Sequence, residues 1–319
     1  MTSLYLFHIA AWLSRFLPQR LGYRLCSLIG ALIFFLVPSV RRAVLDNLLH
    51  VLPDASARER HRAARHVVAN TIKNYYDLVR LPHLKEEDVY KLVTEIEGLE
   101  NIDAALVGGR GAIVVGGHIG NFSIVAQLAA LRGYSVAIVA EDIEPARLYD
   151  YINWLRSRFG LKFIKAGSQE VRTIYKLLRG NGVLMLAMDR DVSSGGMPMD
   201  FFGTVTDLVS GPVVLALRLK TPLLIAHTWR LPSNASHVVV SEPIELERTG
   251  NYDKDIEINV RMLASMLEAQ IRKTPEQWVV LQRVWDSDYT VLKGQEPEVT
   301  HEHVAASDAL PKPDSASLV

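Results

Sequence analysis

Four chemically active side chains each follow a short apolar segment of the chain: His118, Glu141, Lys165 and Asp189. In open α/β sheets, ligands bind beyond the carboxyl ends of the strands, so residues in these positions are the first candidates for a functional site. His118 could act as a general base toward a substrate proton. The alternative for a single histidine is a structural one, with a ring that only hydrogen-bonds at the end of a strand.

His118 lies in a glycine-rich segment, Gly116-Gly117-His118-Ile119-Gly120-Asn121-Phe122-Ser123. Glycines let the backbone approach a ligand closely, and a helix is predicted to begin near Asn121, where its amino end could hold an anion. These features are typical of a catalytic loop between a strand and a helix.

The elements that position these residues follow an alternating pattern. Short apolar runs of this kind are typical of buried strands, and amphipathic segments between them are typical of helices. The predicted strands are Ala112–Gly116, Ser135–Ala140, Leu161–Lys165, Gly182–Met188 and Pro222–Trp229. The predicted helices are Ala55–Leu81, Asn121–Leu131, Pro145–Phe159, Gln169–Arg179 and Asp255–Lys273. This alternation predicts an α/β fold with a mostly parallel central sheet flanked by helices.

The first 42 residues have a different character and predict a membrane-associated helical segment. Leu25–Val37 is a 13-residue uncharged run, and residues 1–66 carry nine arginines against three acids. A helix needs roughly 20 apolar residues to span a bilayer, so the run suits an interfacial helix flanked by basic residues that favour an anionic membrane surface. The alternative is a buried core helix. A cleaved signal peptide does not fit, because no small-residue cleavage site follows Val37.

Composition narrows the remaining possibilities. The 35 basic and 35 acidic side chains cancel, which argues against nucleic acid as a partner. Scattered histidines and a lone Cys26 predict no metal site, and no P-loop, dinucleotide or serine-hydrolase motif occurs. Residues 43–286 then form the predicted globular domain, and residues 287–319 are predicted to be a disordered tail.

Four blocks in order carry a family resemblance. The chain from about residue 41 to 285 resembles the lipid A biosynthesis acyltransferase-like family, relatives of the lysophospholipid acyltransferases, and within it the phosphatidylinositol mannoside acyltransferases. The blocks are the His118 segment; Val139-Ala140-Glu141 with Pro145, Arg156 and Gly160; Asp189-Arg190-Asp191 with Phe201-Phe202-Gly203 and Gly211-Pro212; and Pro275-Glu276-Gln277-Trp278 with Leu281-Gln282 and Trp285.

The resemblance implies transfer of a fatty acyl group from acyl-CoA or acyl carrier protein to a hydroxyl of a glycolipid or lysolipid, with His118 as general base. One position departs from the family pattern, because Ser123 stands where an Asp or Glu normally follows the histidine. A neutral serine could accept the Nδ1–H bond but brings no charge to stabilise an imidazolium. Two hypotheses follow: Glu141 supplies the charge, or the chain is a slow or inactive lipid-binding pseudoenzyme.

The resemblance also implies roles for other residues. The oxyanion of the transition state requires a cation or N–H donors, for which Arg190 and the backbone near Gly117 and Gly120 are candidates. Arg156 would contact the headgroup of the acceptor, unless it is a solvated helix arginine. Gly120, Asn121, Asp189 and Asp191 are further substrate-binding candidates, although the two acids could instead pair with Arg190. No bound cofactor is expected, and the predicted location is the cytoplasmic face of the plasma membrane, as a peripheral or monotopic protein.

Overall fold

The computed structural model describes residues 8, 9, 11–141, 145–166, 171–191 and 195–285. Within these ranges it confirms the α/β fold with a mostly parallel central sheet. The tail predicted at 287–319 lies outside the described residues.

The central sheet has seven strands in the order β1-β9-β8-β2-β5-β3-β4. Every neighbouring pair is parallel except β8 and β9, which are antiparallel. The five predicted strands all form, with ends that shift by one residue at most. The patterns gave no prediction for β1, β9 or a separate β6–β7 hairpin. The strands are β1 (Val93–Glu97), β2 (Ala112–Gly116), β3 (Val136–Ala140), β4 (Lys162–Lys165), β5 (Val183–Ala187), β6 (Met197–Phe201), β7 (Thr204–Leu208), β8 (Leu223–Arg230) and β9 (Ser236–Val240).

Helices cover both faces of this sheet. Two short 3₁₀ turns, Leu81–His83 and Pro275–Gln277, lie outside these helices. On one face the core includes residues of α2, α3, α9 and α10, and on the other it includes residues of α4, α5 and α6. The helices are α1 (Gln19–Leu36), α2 (Pro38–Val51), α3 (Ala57–Arg80), α4 (Glu86–Leu92), α5 (Glu100–Leu106), α6 (Phe122–Leu131), α7 (Ala146–Arg156), α8 (Val171–Arg179), α9 (Gly211–Leu219) and α10 (Tyr252–Lys273).

Strand β2 illustrates why the predicted strands read as continuous apolar runs. Ile113 and Val115 belong to the core on one face of the sheet, while Ala112 and Val114 belong to the core on the other. A strand covered on both faces needs apolar side chains at successive positions rather than at alternate ones.

Helix α1 is longer than the 13-residue apolar run, because Arg20 and Arg24 lie in its first two turns. By length and composition alone, this 18-residue helix could cross a membrane. One face of α1, which includes Tyr23, Cys26 and Phe34, is nevertheless buried in the protein. One side of helix α1 therefore packs on the folded body.

Candidate active site

The register of the sheet brings His118 and Asp189 together. Strands β2 and β5 are parallel neighbours, and their last residues, Gly116 and Ala187, are paired. His118 and Asp189 each follow two residues later, so both lie at the same edge of the sheet. This adjacency depends on strand order, which connects two segments 71 residues apart.

Asp189 holds the His118 ring and backbone at once. Its Oδ1 lies 2.8 Å from His118 Nδ1, and its Oδ2 accepts a hydrogen bond of 2.8 Å from the backbone N–H of the same histidine. The Trp278 indole N–H also donates to Oδ2, at 2.8 Å. With Nδ1 directed at the carboxylate, Nε2 is the ring nitrogen left for a substrate proton. This is the histidine–carboxylate arrangement of acyl-transfer enzymes.

The Asp189 side chain is fully buried, whereas that of His118 is 28% exposed. Burial by itself raises the pKa of the Asp189 carboxyl, but the neighbouring His118 and the three donated hydrogen bonds outweigh it, so the pKa lies below its ordinary value. Asp189 is therefore an ionised partner for His118, and its two oxygens bond to His118 and Trp278, while its contact with an acceptor stays a prediction.

Ser123 and Glu141, the two sequence candidates for support of His118, occupy other positions. Ser123 lies in the first turn of α6 and lines the same cavity as His118, but no described hydrogen bond joins these two side chains. Glu141, directly after β3, forms an ion pair with Arg190. The carboxylate at His118 Nδ1 therefore belongs to Asp189 and not to Glu141.

The other charged residues that the sequence proposed for the site lie in different places. Arg190 and Arg156 both line the cavity beside His118, with the Arg156 guanidinium 5.9 Å from the centre of the Phe163 ring. Burial lowers the pKa of Arg156, and nearby Tyr75 and Tyr149 partly offset that effect. Asp191 lies outside the cavity wall and accepts a hydrogen bond of 2.8 Å from the Gly196 N–H, so it closes a loop.

Gly120 and Asn121, which follow His118 in the sequence, support the structure of the site. Gly120 has a φ of +59°, and a Cβ there would lie 2.6 Å from the carbonyl oxygen of Thr228, so no larger residue fits without a shift. Asn121 is buried, and its side-chain amide donates to Asp77 Oδ2 at 2.8 Å. The geometry thus favours structural roles for both, where the sequence suggested substrate contacts.

A cavity of about 610 Å³ opens beside His118 and extends between the sheet and helix α6. Its polar part lies at the strand ends and includes His118, Glu141 and Arg190. Its apolar part is lined by residues of the sheet and of helices α5 and α6, among them Ile102, Val114, Val125, Leu128, Ile138 and Val240. The space can accept a ligand with a polar reacting group and a long apolar chain.

Sequence reasoning missed two contributors to this site. Trp278 lay in a recognised block but had no assigned role, since nothing along the chain shows that its indole contacts Asp189. His227 also lines the cavity. Its pKa is lowered to about 4, mainly by burial and to a smaller extent by the positive charge of nearby Lys273. Its position in an apolar strand was the only signal in the sequence.

Comparisons with known proteins agree with this geometry. The family of bacterial lipid A biosynthesis acyltransferases matches residues 1–287. The phosphatidylinositol mannoside acyltransferase of Mycobacterium tuberculosis, in strains CDC 1551 and H37Rv, is 28% identical over 216 residues, 66% of either chain. The match thus spans just under two thirds of that relative. The Mycolicibacterium smegmatis protein of the same name is 24% identical over 245 residues, 76% of this chain and 78% of that one. The chain belongs to the family of bacterial lipid A biosynthesis acyltransferases.

Proposed function

We propose that this protein transfers a fatty acyl group from a thioester, acyl-CoA or acyl carrier protein, to a hydroxyl of a glycolipid or lysolipid at the membrane surface. The C–S bond of the thioester breaks and a C–O ester bond forms. The hydroxyl proton passes to His118 and then to the departing thiolate. The relatives named phosphatidylinositol mannoside acyltransferase make a mannosylated phosphatidylinositol our first choice of acceptor.

The observation that carries the proposal is the His118–Asp189 pair at the mouth of the cavity. A carboxylate 2.8 Å from Nδ1 fixes the tautomer that leaves Nε2 unprotonated, and it stabilises the imidazolium that forms when Nε2 takes the proton. The 28% exposure of the His118 side chain is consistent with access for a substrate hydroxyl.

Arg190 supports the step that follows. As the hydroxyl oxygen attacks, negative charge develops on the thioester oxygen and requires a donor or cation nearby. Arg190 lines the cavity near His118, and its ion pair with Glu141 restrains its position. We assign Arg190 to the oxyanion and Glu141 to the orientation of Arg190.

The apolar part of the cavity suits the acyl chain of the donor. Burial of each methylene group contributes about 0.8 kcal/mol, so a long chain gains substantial binding energy from such a space. Arg156 lies in the same wall with a guanidinium that forms no described ion pair, and we assign it to an anionic group of a substrate.

The alternative of an inactive lipid-binding protein had one premise, the absence of an acid near His118. Asp189 speaks against that premise, because its carboxylate lies 2.8 Å from His118 Nδ1. No other described feature favours the alternative.

We further propose that the outer face of α1 seats the protein on the cytoplasmic side of an anionic membrane. Leu21, Leu25, Leu28, Leu32 and Phe35 form a helical stripe, and each is at least 43% exposed. Arginines at 15, 20, 24 and 41 flank this stripe and suit anionic headgroups. Because the opposite face of α1 is packed on the protein, an interfacial helix fits better than an isolated span.

The first experiment incubates purified full-length protein with radiolabelled palmitoyl-CoA or palmitoyl carrier protein and total membrane lipid, followed by identification of the labelled product. Wild type should yield a labelled glycolipid or lysolipid ester, and His118→Ala should not. Absence of transfer by the wild type from both donors, together with tight lipid binding, would support the pseudoenzyme. Transfer that survives His118→Ala would contradict the mechanism.

Membrane attachment has a separate test. Leu28→Glu with Leu32→Glu places two charges in the exposed stripe and should leave the protein in the supernatant when phosphatidylglycerol vesicles are sedimented. A matched control, Val107→Glu, changes an apolar residue that is 87% exposed on another element. Equal co-sedimentation of the double variant and the control would refute this surface as the attachment site.

A further inference from the structure

The structure points to Tyr23 and Asp77 as positioning residues that join the membrane-facing helix α1 to the segment carrying His118. We propose that seating of α1 on a lipid surface is transmitted through these two side chains to the catalytic loop. The inference rests on the proposed function, because it assumes that α1 binds lipid and that His118 performs the reaction.

The contact between α1 and α3 is close enough to transmit a displacement. A Cβ at Gly30 would lie 2.5 Å from the Ala69 Cα, so the two backbones touch there. A Cβ at Gly22 would lie 2.3 Å from the ring of Tyr76. Because such an interface leaves no space, α1 cannot shift on α3 without a response from the residues between them.

Tyr23 carries the connection from α1 into the protein interior. Its hydroxyl donates to Asp77 Oδ1 at 2.7 Å, and the Asp77 side chain is fully buried on α3. The pKa of Tyr23 is raised above its ordinary range, mainly by burial and to a smaller extent by the negative charge of Asp77. The phenol is therefore a permanent donor in this bond.

Asp77 continues the connection to the catalytic segment. Its Oδ2 accepts from Asn121 Nδ2 at 2.8 Å and from Arg230 Nη2 at 2.9 Å. Asn121 caps helix α6, three residues after His118, and its carbonyl oxygen accepts from the N–H groups of Ile124 and Val125. The unit Tyr23–Asp77–Asn121 thus links α1 to the first turn of α6.

A second contact from α3 reaches the same segment. Asn74 Nδ2 donates to the Gly120 carbonyl oxygen at 2.6 Å, while Asn74 Oδ1 accepts from Arg230 Nη2 at 2.7 Å. The His118 segment is consequently held on one side by Asp189 and Trp278 and on the other by residues of α3. Loss of the α3 contacts should loosen the segment on that side, while the bond between His118 and Asp189 and the backbone bonds of His118 and Gly120 to Val279 and Gln277 remain.

Tyr23→Phe is the sharpest perturbation of this unit. It removes one hydroxyl and leaves the ion pair between Asp77 and Arg230 intact. Tyr76→Phe is the matched control, because Tyr76 also packs between α1 and α3 but donates its hydroxyl to the Leu17 carbonyl oxygen at 3.2 Å. Asn121→Ala cuts the unit at its other end.

The experiment measures hydrogen–deuterium exchange in peptides spanning residues 117–125 of the full-length protein, with and without phosphatidylglycerol–phosphatidylcholine vesicles. In wild type and Tyr76→Phe, vesicles should slow exchange in this segment by about tenfold, the scale of one hydrogen bond to a charged group. In Tyr23→Phe that slowing should disappear, although the variant still co-sediments with the vesicles. The double variant Tyr23→Phe/Asn121→Ala should behave as either single variant does, because both interrupt one connection.

Since the exchange readout does not require turnover, it separates this inference from the proposed function. A Tyr23→Phe protein whose segment responds to vesicles as the wild type does would overturn the connection. A wild-type segment with no response to vesicles, in a protein that binds them, would overturn it as well. If exchange follows our expectation but no acyl transfer is found, the connection stands and the proposed reaction fails.

Discussion

Replacement of the buried acid beside His118 tests the proposed mechanism most directly. Asp189→Asn keeps the shape of the side chain but removes the negative charge at His118 Nδ1. The new amide group can also donate a hydrogen bond to the ring, whereas the carboxylate can only accept one. A donor at that position favours the tautomer protonated on Nε2, which cannot take a substrate proton. The loss in comparable triads is about 10⁴-fold in kcat, and we expect that scale here.

The assay is acyl transfer to the acceptor that the labelling experiment identifies, with kcat and KM determined separately. Because Asp189 bonds to His118 and Trp278 and is not among the described residues that line the cavity, kcat should fall while KM changes little. Asp191→Asn is the matched control, since Asp191 lies in the same loop outside the cavity wall. It should retain most of the wild-type activity.

Two results would refute this reasoning. If Asp189→Asn kept its activity within about tenfold of wild type, the carboxylate would not support a general base of the expected kind. If Glu141→Gln abolished kcat while Asp189→Asn did not, the charge at work would be that of Glu141, as the sequence first suggested. Circular dichroism and thermal melting of both variants confirm that the fold is retained before rates are compared.

The remaining predictions concern the ion pair at the mouth and the acid stability of the fold. Glu141→Gln should lower kcat about tenfold with little change in KM, because it loosens Arg190, which we assign to the oxyanion that forms only in the transition state. In the same kinetic assay Arg190→Gln, which removes the other half of the pair, should lower kcat at least as much, and a change confined to KM would contradict the assignment. The pKa of Asp189 is below its ordinary value of 3.8 in the folded protein, so this group stabilises the fold above that pH, and its contribution disappears as the pH falls through the lower folded value. Urea unfolding between neutral and acid pH should therefore show a smaller loss of unfolding free energy for Asp189→Asn than for wild type; an equal loss would contradict the depressed pKa.

Much of the fold could be predicted because the relevant signals are local. Strands β2, β3, β5 and the start of β8 are apolar runs covered on both faces of the sheet, and that pattern needs no knowledge of its neighbours. Strand β9, Ser236–Val240, was missed because it contains His237 and alternates in burial, so it lacks the continuous run. Strand β1, Val93–Glu97, is mostly polar at the sheet edge and gave no signal at all.

The site was only partly predictable, because its central contact joins residues that are far apart in the sequence. His118 could be identified by its position after a strand and Arg190 through the family resemblance, and both line the cavity. The partner of His118 could not, because β2 and β5 are adjacent only through the order of the strands. A search along the chain for the missing acid finds only Ser123, separated from His118 by four residues, whereas the carboxylate comes from Asp189, two residues after the neighbouring strand β5.

The departure at Ser123 then has a physical explanation. A histidine at the end of a parallel strand can receive its carboxylate from its own helix or from the end of an adjacent strand, and one acid at Nδ1 is sufficient to fix the tautomer. Once Asp189 holds both the ring and the backbone of His118, a second acid at position 123, in the cavity wall that also includes His118, would add a negative charge to the site that repels the first. That repulsion would raise the pKa of one carboxyl and weaken the pair. A neutral serine at this position is therefore compatible with a charged and fully buried Asp189.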